Sequence, residues 1–132
     1  MTLRRSLIFF AAGCLGALAN SLAVWFSGDI GFTTMFGVAI APALSAAWLY
    51  PRLVWGGLWG LLFHLPVYRS RWVLRGTVLS LFPTAFQLFV VLPYFRSKGI
   101  AGTGLGMLTP AFVLLFNWVW GVATAFVIRV AR

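Results

Sequence analysis

Three carboxamides lie deep inside apolar runs of this 132-residue chain: Asn20, Gln87 and Asn117. In hydrocarbon a carboxamide needs a partner. The plain reading is hydrogen bonding between helices, worth about 0.6 kcal/mol per bond on average. The sharper reading brings them together with Ser21, Ser80 or Thr84 on one polar track that a solute could follow. Gln87 stands four residues after Pro83, and Asn117 seven after Pro110. Each therefore shares a helix face with the proline that precedes it.

His64, the single histidine, is the one side chain that ordinarily titrates near neutrality, and so the candidate for sensing or relaying a proton. Its alternative role is a bond to a carbonyl or phosphate at a membrane surface. With Asn20, Gln87 and Asn117 it completes the set of candidate pore- or substrate-lining residues.

Catalysis is not expected. Asp29 is the sole side-chain carboxylate, so paired acid/base carboxylates are excluded, and the expected topology puts Asp29 and His64 on opposite sides, which leaves no Ser-His-Asp set. Cys14 and His64 cannot close a zinc site between them, and one cysteine makes no internal disulfide. Neither a metal nor a cofactor is implied. The glycine-rich stretch 99–106 lacks the Lys-Ser/Thr of a phosphate-binding loop and follows no strand.

The elements that must carry these residues are set by composition. Hydrophobic residues make up 62% of the chain and charged residues 8%, against about 25% charged in soluble domains. Lipid must solvate much of such a surface. Ten Lys/Arg oppose one acid, a net charge of +9. They stand in short clusters at the ends of apolar runs, and no basic face is large enough to follow nucleic acid. Arg52, Arg69, Arg71 and Arg75 are read as contacts to anionic lipid headgroups.

The expected fold is all-α: a polytopic transmembrane helix bundle of four spans at about 6–27, 33–50, 72–95 and 108–128. A short re-entrant or interfacial segment covers 53–68. The amino-terminal run has the basic start of a signal peptide, and Ala11-Ala12-Gly13-Cys14 has some likeness to a lipoprotein box. Its apolar stretch is long enough to span, so a retained helix is expected. Pro51-Arg52 reads as the end of the second span, and Gly37, Ala41 and Ser45 as a close-packing stripe on it. Gly13, Gly16, Ala17, Gly56 and Gly60 are the other expected helix-packing positions.

Residues 53–68 are the ambiguous segment, with 16 residues between Arg52 and Arg69 where a span needs roughly 20. If they cross, there are five spans and the cations split evenly. If they turn back, eight cations share the side of the termini and two, Arg96 and Lys98, lie opposite. That bias favours four spans with both termini cytoplasmic, in a cell inner membrane. Two functions fit: a homo-oligomeric channel or transporter for an anion or small neutral solute, or a non-catalytic subunit or assembly factor. The expected partners are anionic lipid and either further copies of the chain or another membrane protein.

Overall fold

A computed structural model describes residues 3–68, 70–95 and 100–131, and every regular element among them is helical. Helix α1 (Leu3–Asp29) is proline-free and runs for 27 residues before Gly31 turns the chain with a positive φ of 80°. Helix α2 (Phe32–Met35) is a single turn. Helix α3 (Ala46–Gly60) continues as a 3₁₀ turn over Leu61–His64. Helix α4 (Trp72–Phe86) widens into a π-helical stretch over Gln87–Phe95. A 3₁₀ segment, Ile100–Leu105, leads to α5 (Thr109–Ala131).

The expected helix over 33–50 is not formed, and the residues responsible are those read as its packing stripe. Gly37 adopts a left-handed φ of 74°. Its N–H bonds the Thr34 carbonyl at 2.9 Å, and the Val38 N–H bonds Thr33 at 3.0 Å. This is a Schellman stop, which favours glycine for its freedom at positive φ. Ser45 in turn caps the start of α3, its hydroxyl accepting from the Trp48 N–H at 3.2 Å. Pro51 therefore stands just over one turn inside a helix instead of ending one. The carbonyl it orphans belongs to exposed Ala47, which limits the penalty. Residues 53–60, expected to turn back or lie flat, are the body of α3.

Contacts fix the directions. Gly60 lies against Phe9 and Gly13, Gly56 against Gly13 and Ala17, and Arg52 against Asn20 and Ser21. Numbers fall on α3 as they rise on α1, so the two are antiparallel. Helix α5 is likewise antiparallel to α1, with Val24 beside Phe112 and Phe116 and Gly16 beside Thr124. Helix α4 is antiparallel to α5, with Trp72 against Phe126 and Gly76 against Gly121. The start of α1, His64, the start of α4 and the end of α5 thus share one end of the bundle, the first. Asp29, residues 30–45 and the Ile100–Leu105 segment share the second.

Leu3–Asp29, Trp72–Tyr94 and Thr109–Ala131 are long and apolar enough to cross a membrane. The leg made by α3 and its 3₁₀ turn is shorter. Large apolar side chains such as Leu15, Leu22, Val54, Leu81, Phe89 and Leu115 point outward on every leg. Water would not tolerate so much continuous apolar surface, but lipid does.

Candidate functional site

The polar candidates do not meet on one track. They form three separate groups, and two of those are organised by arginines that sequence alone assigns to the membrane surface.

The first group joins three helices. Arg52 lies four and eight residues before Gly56 and Gly60, and so on the face of α3 that packs against α1. Its Nε donates to Ser21 Oγ at 2.9 Å and its Nη2 to Asn20 Oδ1 at 2.6 Å. The guanidinium also sits over the Trp48 ring, 4.6 Å from its centroid. Asn20, buried, turns its amide NH₂ to the Phe116 carbonyl of α5 at 2.5 Å. One guanidinium and one carboxamide thereby tie α1, α3 and α5 together. Arg52 lies about 9 Å inside the start of α3 and is half-buried, with its guanidinium turned onto α1.

The second group is at the first end. Arg75, also expected at the headgroups, is 4% exposed, and its Nη2 donates to the Phe63 carbonyl. Pro66, three residues on, has no N–H to give that carbonyl, so the 3₁₀ turn leaves an acceptor which Arg75 takes. The Arg75 guanidinium lies 5.1 Å from the Phe63 ring centroid and 5.9 Å from that of Phe9. Arg5 lies 5.4 Å from the same Phe9 ring, and the His64 imidazole meets it edge-on at 4.6 Å. His64 Nε2 is also 3.0 Å from Ser6 Oγ. Two guanidiniums and an imidazole are thus gathered around one phenyl ring (a cation is attracted to the ring face). Of the remaining headgroup candidates, Arg71 is exposed and Arg69 lies outside the described residues.

The third group is a pair. Asn117 Nδ2 donates to Gln87 Oε1 at 3.2 Å, and both residues are half-buried. Two of the three hydroxyls expected to extend a track bond their own helix instead: Thr84 to the Ser80 carbonyl at 2.8 Å, and Ser80 to that of Thr77 at 2.7 Å. Asp29, at the second end, is exposed.

Small residues set these distances. Gly13 meets Gly56 and Gly57 backbone to backbone, Gly60 meets Gly13, Ala17 fills the space at Gly56, and Gly16 meets Trp120 and Thr124. The Trp120 indole N–H donates to the Gly13 carbonyl at 3.2 Å. The small-residue stripe of α1 and the glycines of α3 are thus spent inside the bundle. The placement of Arg52 against α1 was legible in its spacing from Gly56 and Gly60, and the buried placement of Arg75 in the donor missing at Pro66.

Compared with models of known protein families, with curated proteins and with solved structures, the chain matches none.

Proposed function

We propose that this chain is a four-crossing, non-catalytic subunit of a membrane assembly, docking on its partner through the outer face of α4 and α5. The observation that carries this reading is the Gln87–Asn117 pair. Asn117 lies about 12 Å into α5 and Gln87 about 22 Å into the Trp72–Tyr94 helix, both near mid-depth of a 23-residue helix. Their single mutual bond leaves amide capacity on each side, half-exposed where lipid offers neither donor nor acceptor. A polar group from another transmembrane segment would complete it.

The fourth crossing is the leg of α3 and its 3₁₀ turn. Fifteen α-helical and four 3₁₀ residues cover about 30 Å at ~1.5 and ~2.0 Å per residue, the thickness of a bilayer core. Among the described residues Arg4, Arg5, Arg71, Arg75 and Arg129 gather at the first end, while Arg52 and Asp29 lie toward the second. That asymmetry supports a cytoplasmic first end holding both termini, in a cell inner membrane. The test uses Met35, which is 77% exposed, and Arg71, in a Cys14→Ala background. A membrane-impermeant maleimide added to intact cells should label Met35→Cys and should reach Arg71→Cys only after permeabilisation. Labelling of both from one side would mean that α3 does not cross.

A second reading, a homo-oligomeric channel for an anion or small neutral solute, draws on the same pair, which a symmetric ring would turn toward its axis. Purification in detergent separates the two. Gln87→Leu and Asn117→Leu should each leave the chain folded, since such bonds are worth only about 0.6 kcal/mol. Each should release a co-purifying membrane protein. A symmetric oligomer of this chain alone, with solute flux into liposomes lowered by either variant, would select the channel. Unchanged association in both variants would remove the α4–α5 face from either reading.

A further inference from the structure

An open apolar groove of about 370 Å³ runs along the outer side of α3 and its 3₁₀ turn, lined by Trp55, Leu58, Trp59, Leu62, Leu65 and, at its polar end, His64. Trp55 is 58% exposed. The groove ends where the cations gather: His64 rests on Phe9, whose ring also carries Arg5 and Arg75, and Ser6 Oγ meets the imidazole. The chain's one side-chain carboxylate, Asp29, is at the opposite end of α1.

We propose that this groove and the cluster above it form one binding site for an anionic phospholipid, with an acyl chain along the tryptophan-lined groove and the phosphate at Arg5, Ser6 and His64. Two features select that occupant over others. The lining is almost wholly apolar, which suits a hydrocarbon chain and gives a free phosphate nothing to hold. Arg5 and Arg75 stand at one end of the groove, at the level where a headgroup of the same leaflet would lie. Arg5 and Ser6 belong to α1 and His64 to the end of the α3 leg, so a bound lipid would also brace those two legs at the first end. The proposal rests on the reading of the α3 leg as a crossing, which places the groove against lipid.

Brominated acyl chains test it, because bromine quenches tryptophan on contact. The purified chain is placed in phosphatidylcholine vesicles containing a small fraction of dibrominated phosphatidylglycerol or, in parallel, the same fraction of dibrominated phosphatidylcholine. Excess quenching by the phosphatidylglycerol is expected, and Trp55→Phe with Trp59→Phe should abolish that excess. Arg5→Gln should weaken the preference about fivefold, the effect of one lost cationic contact at a membrane surface, and His64→Gln should weaken it by less, through one lost hydrogen bond to the phosphate. Arg129→Gln, which removes a guanidinium from the Trp72 ring at the same end, should not. Equal quenching by the two lipids, or an excess that survives both Arg5→Gln and His64→Gln, would overturn the site and leave the groove to a partner helix. Absence of quenching by either lipid would instead remove the membrane reading on which the site depends.

Discussion

Gly13→Val is expected to destabilise the folded bundle by roughly 3 kcal/mol or more, through overpacking of a backbone contact that cannot relax by a side-chain rotation. At Gly13 a β-carbon would run into the Gly56 carbonyl and the Gly57 backbone, while Trp120 holds the Gly13 carbonyl from the other side. Helix α1 would have to move away from α3, and the bonds from Arg52 to Asn20 and Ser21 would lengthen with it. Thermal unfolding in detergent, followed by size-exclusion chromatography, reads the effect. Ala11→Val is the control. It changes the same helix by the same kind of side chain, but at an exposed position, and should shift stability by less than about 0.5 kcal/mol. If Gly13→Val melted with the parent chain, the α1–α3 contact described above would be wrong.

The second large effect concerns the polar tie among α1, α3 and α5. Asn20→Leu removes the acceptor of the Arg52 Nη2 bond and leaves a guanidinium donor in apolar surroundings. The loss of a hydrogen bond to a charged group is worth about 1.5–3 kcal/mol. The Phe116 carbonyl that Asn20 also serves belongs to the interior of α5, so its part in the loss is smaller. Replacing both partners tells more. Asn20→Leu with Arg52→Leu is expected to be more stable than Asn20→Leu alone, because no guanidinium is then left short of the acceptor that Asn20 supplied. A double variant that simply added the two single losses would mean that Arg52 and Asn20 act independently. In that case the tie would not be a unit.

Much of the architecture was legible in the residues. Eight per cent charge with 62% hydrophobic residues leaves few alternatives to helices surrounded by lipid, and the long legs of α1, α4 and α5 lie close to their expected bounds. The second leg was misread by more than ten residues. Gly37 and Ser45 have two meanings in a sequence, small enough for close packing and suited to ending or capping a helix. Nothing local distinguishes them until the chain has folded. Pro51 invited the same error, since a proline that stops one helix and a proline tolerated near the start of another look alike.

The candidate site divides along the same line. Residue types alone determined that Asn20, Gln87 and Asn117 would need partners, because carboxamides in hydrocarbon cannot be left unsatisfied, and that no carboxylate of this chain could balance its cations. Which partner each one found was decided only in three dimensions. Asn20 took Arg52 and Phe116, and Gln87 took Asn117. Arg75 took a carbonyl that Pro66 had stripped of its donor. The reason is physical: a need for a hydrogen bond belongs to a side chain, whereas the bond itself belongs to the register between helices. Here that register is set by glycine backbones meeting more closely than any periodicity reveals.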